Sequence, residues 1–165
     1  MHENFYHELK VYYEDTDAGG VVYYANYLKF LERARTEALL TIGLSNSIIK
    51  DKFGAFIIVK SCNIEYKKSA YLEDNLSIRS FIKSITKTSF MMNQIITKDK
   101  DIIVEAKIHL VLVNEKAKPI VKTNKMFVNS AHHQSVKKFN KIIERNNSSF
   151  SCKNYISIWI PLNKN

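Results

Sequence analysis

Beyond Gly54 the chain settles into a period of two. Ile58, Cys62, Ile64 and Tyr66 fall on one side of this alternation, and Ser61, Asn63 and Glu65 on the other. That is the pattern of a half-buried strand. Leu76, Ile78 and Ile82 alternate with Ser77, Arg79 and Lys83, and a third strand is predicted near residues 90–97. A fourth, over residues 102–113, sets Val104, Ala106, Ile108, Leu110 and Leu112 inward against Glu105, Lys107 and His109. Short polar stretches at 86–88 and 98–101 mark the turns between them. Residues 5–13, rich in Tyr and Val, predict a strand at the start of the chain. Between these segments the period changes to that of a helix. Leu28, Leu31, Ala34, Ala38, Leu39 and Ile42 form a stripe that Phe30 broadens, with Arg33, Thr36 and Glu37 on the wetter side. Asn26 is the expected N-cap and Gly43 the stop. The predicted order is strand, one long helix, then a meander of antiparallel strands. A sheet with one apolar face needs a cover, and the helix is the candidate. The fold class expected is α+β, one antiparallel sheet wrapped around one long helix.

From Asn129 and Ser130 a second, lysine-rich amphipathic helix is expected, with Val136, Phe139, Ile142 and Ile143 on its apolar side. The chain therefore divides into a main domain, residues 1–130, and a basic C-terminal helix and tail, residues 131–165. The stretch 146–165 starts as a polar linker and ends in an apolar patch. It reads as a frayed end ahead of a clip onto a neighbouring subunit or a membrane.

Composition narrows the classes. At 165 residues and 19.2 kDa the chain has the length of one domain with a sizeable core. No apolar run approaches the ~20 residues of a membrane helix. Met1-His2-Glu3-Asn4 leads straight into polar sequence, so no signal peptide is expected. Cys62 and Cys152 form no paired motif, which fits neither a disulfide framework nor a zinc set and points to the cytoplasm. Cys62, on the inward side of its strand, is expected in the core. The net charge of +9 suggests nucleic acid, but its distribution does not. Residues 131–165 hold six basic residues and one acid, and only four of the 25 basic residues are arginines. Base readout favours arginine forks. A basic surface also steers an anionic small ligand or an acyl carrier.

The chemistry lies in Glu14-Asp15-Thr16-Asp17-Ala18-Gly19-Gly20. A calcium loop starting at Asp15 fails, because its fifth position is Gly19 and its twelfth Asn26. A phosphatase motif would need Thr or Val at Gly19. A plain capped turn remains as one reading. The other begins from position: a carboxylate just before a helix N-terminus stands beside backbone N–H groups that favour negative charge. The same N–H groups could hold an oxyanion forming on a substrate carbonyl. Glycines let the backbone approach a ligand closely. A carboxylate beside an oxyanion site is a minimal kit for cleaving an activated acyl bond such as a thioester.

Residues 11–39, VYYEDTDAGGVVYYANYLKFLERARTEAL, closely resemble the signature of the YbgC/4-hydroxybenzoyl-CoA thioesterase family of hotdog-fold proteins. The likeness continues through Ser61–Tyr66, Ala70-Tyr71-Leu72-Glu73-Asp74 and Lys87-Thr88-Ser89-Phe90, and covers roughly residues 5–128. The resemblance implies a hotdog fold and an acyl-CoA thioesterase that needs no metal or cofactor. It implies short-chain or aromatic acyl-CoA as substrate, with a free acid and CoA as products. The family's catalytic acid falls on Asp17, as general base or as nucleophile. The backbone N–H of Tyr24 would be the oxyanion donor. YbgC-type members usually carry His at position 24, and the 4-hydroxybenzoyl branch carries Tyr. Glu32 matches a helix acid that faces the substrate pocket of a neighbouring subunit in that branch; its alternative is an ordinary helix charge or a partner for Arg35. Lys87 and Ser89 match the turn that contacts the nucleotide end of CoA. Ser69 stands where relatives often have Pro. The family also implies a homodimer or homotetramer, and acyl carrier protein as a partner.

Other readings remain. A non-catalytic hotdog module would bind acyl-CoA or acyl carrier protein without turnover. A hotdog dehydratase lacks its expected His-Phe-Pro start here. His109, His132 and His133 have no Ser, Cys or Asp at a useful spacing, so a histidine triad is unsupported.

Overall fold

The computed structural model describes residues 4–129. The expected helix over Val136–Ile143 and the tail beyond it lie outside these residues. Five strands form one sheet: β1 (Phe5–Lys10), β2 (Phe56–Tyr66), β3 (Asn75–Ile85), β4 (Ser89–Lys98) and β5 (Asp101–Val113). Helix α1 (Asn26–Thr41) follows β1, α2 (Asn46–Phe53) follows α1, and α3 (Thr123–Asn129) closes the described chain.

The sheet order is β1-β3-β4-β5-β2, and every pairing is antiparallel. Only β3, β4 and β5 form a meander. The predicted meander placed β2 beside β3, whereas β2 crosses to pair with β5 at the far edge. The 98–101 turn is the tight hairpin between β4 and β5, and 86–88 the one between β3 and β4.

α1 lies over the β1 and β3 side of the sheet. Phe30, Leu31 and Ala34 join Leu76, Ile78, Met92 and Ile96 in one core cluster, all essentially sealed from water. The helix ends in a Schellman motif. Leu44 N–H reaches the Leu39 carbonyl, Gly43 N–H reaches Leu40, and Gly43 takes φ +74°. Leu39 and Leu44 are both buried beside the motif.

The smaller helices were not legible from periodicity, being too short to show one. α2 is capped by the Ser45 hydroxyl, which accepts from Ile48 N–H, and ends at Gly54 in the left-handed region. Its Ile49 and Phe53 are buried, and Lys122 Nζ donates to the Phe53 carbonyl at its C-terminal end. Phe127 of α3 meets Phe90 edge-on at 5.1 Å. The core thus has three covers where the sequence predicted one.

Further corrections concern β1 and β2. The predicted strand over residues 5–13 stops at Lys10, and Tyr13–Asp15 form a single 3-10 turn. In β2 the register slips between Val59 and Ser61. Before the slip the residues opposite the inward positions Leu112 and Leu110 are Ile57 and Val59. After it they are Cys62, Ile64 and Tyr66, opposite Ile108, Ala106 and Val104. The bulge at Lys60 puts Ile58 on the outer face, against the strict alternation predicted. Cys62 does face the helix layer, but it is exposed rather than in the core. It sits on an edge strand that α1, centred over β1 and β3, does not cover.

Candidate active site

The segment between β1 and α1 is a strap held at several points. Thr16 bridges Val22, Asp17 N–H reaches the Val21 carbonyl, and Gly20 N–H reaches the Asp17 carbonyl. Residues 16–22 thus close a miniature hairpin whose tip is Ala18-Gly19. Val22 N–H bonds the Ala70 carbonyl, and Val21 bridges Tyr71, tying the strap to the β2–β3 connection. Ala70 is clamped from its other side by Tyr27, whose hydroxyl accepts the Ala70 N–H at 3.0 Å.

The two aspartates of the motif have different roles in this frame. Asp15 is buried. Its carboxylate accepts Tyr12 N–H, and its carbonyl accepts both Tyr23 N–H and Asn26 Nδ2. It holds the strap together. Asp17 is exposed, and its Oδ1 accepts Gly19 N–H at 2.8 Å. That bond fixes the carboxylate as an Asx turn and leaves Oδ2 without a protein donor among the described residues. Asn26, the expected N-cap, is instead the first residue of α1, and its side chain serves the Asp15 carbonyl.

Tyr24 lies just before the helix. Its N–H has no acceptor among the described residues, and the helix dipole adds positive potential there. Its carbonyl accepts from Tyr66 Oη at 3.3 Å. Rings of Tyr23, Tyr24, Tyr66, Tyr27 and Phe30 run in contact from the surface into the core. The Tyr23 phenol is held above its ordinary pKa, chiefly by the Tyr24 hydroxyl beside it, with the Asp17 carboxylate adding to the effect. Burial raises that of Tyr27.

Glu32 is exposed on α1, and its Oε1 accepts from Thr36 Oγ1 at 2.8 Å; it makes no ion pair with Arg35 within 4.0 Å. It lines a cavity of about 500 Å³ between α1 and the uncovered inner face of β2. Lys87 is exposed at the β3–β4 turn. Ser89 is buried, its hydroxyl shared with Thr86 Oγ1 at 2.8 Å, so it builds the turn that carries Lys87. That turn is at the far end of β3 from the strap: Asp74, beside β3's start, bonds Val11, while Lys87 follows its end. An 11-residue strand spans roughly 35 Å. One chain therefore brings Asp17 and Tyr24 together and keeps Lys87 and Ser89 apart from them.

Sequence reasoning missed a polar cluster beneath α1. Gln94 is fully buried; its Nε2 donates to the Leu31 carbonyl and to Ser80 Oγ, and its Oε1 accepts from Arg35 Nη1. The available signal was the run of inward positions on β4, Phe90, Met92, Gln94 and Ile96, in which Gln94 alone is polar.

Residues 11–137 match the family described as the thioesterase-like superfamily. The acyl-CoA thioester hydrolase YbgC of Escherichia coli O6:H1 is 42% identical over 113 residues, 67% of this chain and 84% of that protein. The chain belongs to this superfamily. YbgC of Haemophilus influenzae, an acyl-CoA thioesterase, is 33% identical over 121 residues, 73% of this chain and 89% of its own. Among solved structures, a probable thioesterase from Bartonella henselae is 33% identical, with a TM-score of 0.67, covering 72% of this chain and 97% of that one. The 4-hydroxybenzoyl-CoA thioesterase of a Pseudomonas strain shares the fold at 20% identity and a TM-score of 0.71, covering 78% of this chain and 99% of that one. The superfamily's members here are thioester hydrolases of the hotdog fold, and this chain is one of them.

Proposed function

We propose that this chain hydrolyses acyl-CoA thioesters, with short-chain or aromatic acyl groups, to a free acid and CoA. The observation that carries this reading is the Asp17 carboxylate, exposed and fixed by Gly19 N–H just ahead of a helix whose Tyr24 N–H is free of protein acceptors. The thioester carbonyl would rest on the Tyr24 N–H, which stabilises the oxyanion as it forms. Asp17 would take a proton from water as that water attacks the carbonyl carbon, or attack it directly and form an anhydride that water then opens. Either way the C–S bond breaks, the thiolate leaves as CoA, and the proton ends on sulfur. A thiolate is a good leaving group, so no side-chain acid at position 24 is required, and Tyr there is compatible with turnover.

Glu32, Lys87 and Ser89 complete the proposed binding set. Because the fold keeps Lys87 and Ser89 apart from Asp17, the nucleotide end of CoA would reach Lys87 on a second copy of the chain, at the turn that buried Ser89 holds in shape. The free edge of β2, unpaired among the described residues, suits a homodimer with a continuous sheet, and dimers would pair to a homotetramer. Acyl carrier protein is the alternative thiol carrier, attracted by the net positive charge, and the cytoplasm the proposed compartment. The second reading, an acyl-CoA-binding module without turnover, is favoured by Tyr24 and opposed by the fixed Asp17. Free-thiol release from acyl-CoAs running from acetyl to palmitoyl, with 4-hydroxybenzoyl-CoA and an acyl carrier protein thioester alongside, separates them. Turnover of any of them supports the enzyme, and binding without thiol release supports the module.

A further inference from the structure

An α-helix continued back through Tyr24 would give its carbonyl the N–H of Leu28, four residues on. That bond does not form. Leu28 N–H goes to the Ala25 carbonyl at 3.2 Å, so the helix opens on a tight 3-10 turn. Among the described residues no backbone N–H reaches the Tyr24 carbonyl. A side chain from the sheet reaches it instead, Tyr66 Oη at 3.3 Å, from 42 residues away in sequence.

The two peptide groups that flank the Tyr24 Cα are therefore held by different partners. The one before it carries the Tyr24 N–H, and its carbonyl, that of Tyr23, accepts Asn26 N–H at 2.8 Å. The one after it has its carbonyl on Tyr66. Tyr66 is the last residue of β2 and lies on the inward side, opposite Val104. Its ring meets that of Tyr24 edge-on at 6.5 Å and that of Tyr27 at 5.7 Å, which fixes where its hydroxyl points. Burial holds this phenol above its ordinary pKa, with Cys62 and Tyr24 adding to the effect, so it carries its proton throughout the neutral range. The bond joins two residues of one chain. Strand pairing along the edge of β2 would engage backbone groups, not the phenol.

We propose that Tyr66 is a positioning residue for the hydrolysis. By keeping the Tyr24 carbonyl out of the helix ladder, it fixes the rotation of the Tyr24 backbone and the direction in which the Tyr24 N–H meets the oxyanion. The inference rests on the thioesterase reading above and adds a residue of the sheet to a site otherwise built by the strap and α1. Tyr66 does not touch the reacting atoms. Without its hydroxyl the Tyr24 carbonyl turns to the Leu28 N–H, α1 lengthens at its start, and the Tyr24 N–H leaves the line to the carbonyl oxygen. An oxyanion donor works only while it is aimed at the place where charge develops.

The test is Tyr66→Phe, which keeps the ring contacts and removes the hydroxyl. Tyr66 is exposed, so the denaturation midpoint should stay close to that of the wild type. On the acyl-CoA that the wild type turns over best, kcat should fall about twofold to tenfold, the worth of one hydrogen bond. Competitive inhibition by the S-alkyl-CoA thioether of the same length, which has no carbonyl to set on the N–H, should keep its wild-type constant. Unchanged kcat, or a loss of kcat matched by an equal loss of thioether binding, would overturn the proposal. A second readout needs no turnover. In protein made with isotope-labelled tyrosine, the amide resonance of Tyr24 should move in Tyr66→Phe while that of Tyr6, on β1, stays. An unmoved Tyr24 amide would also overturn the proposal. If the wild type hydrolyses no acyl-CoA, the thioesterase reading fails by itself, and the amide resonance alone decides whether Tyr66 sets the Tyr24 backbone.

Discussion

Asn26 Nδ2 donates to the Asp15 carbonyl across 3.0 Å, and this bond fastens the first turn of α1 to the strap that carries Asp17. Both residues are buried, so water cannot replace the lost partner. Asn26→Ala should cost about 1–3 kcal/mol in chemical denaturation, the penalty for stranding a buried polar group. Turnover measured where the variant is fully folded should fall as well, because the strap and the helix N-terminus lose their common anchor. Unchanged turnover in the folded variant would show that this anchor does not position the reacting groups.

Gly19 and Gly20 separate the chemistry of the strap from its stability. A Cβ on Gly20 meets no atom within 4 Å, but its φ of +75° is a left-handed conformation that costs an L-residue roughly 1–2 kcal/mol. Gly20→Ala should therefore lower stability by about that amount. Gly19 has no such backbone constraint, but a Cβ there would stand 3.1 Å from Asp17 Oδ1. Gly19→Ala should leave the denaturation midpoint close to that of the wild type and lower kcat by displacing the carboxylate. Full activity in Gly19→Ala would contradict the placement of Asp17 in the reaction.

Tyr27 gives the fold an alkaline sensitivity. Burial raises its phenol above the ordinary 10.0, opposed by the Ala70 N–H that its oxygen accepts. A raised folded pKa means that the native state keeps a proton which the unfolded state gives up first. Its contribution is fully present below about pH 10 and is lost as pH rises through the higher folded pKa. Denaturant midpoints from pH 8 to 11 should therefore fall beyond pH 10, and Tyr27→Phe should flatten that fall while losing the Ala70 bond at every pH. An equal fall in both proteins would assign it to other groups.

Long alternating runs made β3, β4 and β5 readable, because each buries one side against a continuous core and any slip in register would expose it. The α1 stripe was readable for the same reason. β2 was misread because it is an edge strand with a bulge at Lys60, where alternation stops reporting burial. Its crossing to β5 depends on long-range pairing that no local pattern encodes. At the site, the acids and glycines placed just before a helix marked the segment, and it was the family resemblance that singled out Asp17 within it. The division of labour between Asp15 and Asp17 was not legible, since it is made by hydrogen bonds from Tyr12, Tyr23 and Asn26 that fold onto Asp15 from outside the motif. The Arg35–Gln94 pair was hidden for a similar reason, its members lying 59 residues apart.

The central claim is that the Asp17 carboxylate performs the chemistry. Its most direct test is free-thiol release by Asp17→Asn beside the wild type, on whichever thioester the wild type turns over best. The amide oxygen of Asn can still accept the Gly19 N–H, so the strap keeps its shape while the carboxylate is lost. The account predicts a loss of kcat of about a hundredfold or more, as for removal of a general base or nucleophile, with ligand binding retained. Turnover by Asp17→Asn at the wild-type rate would contradict it.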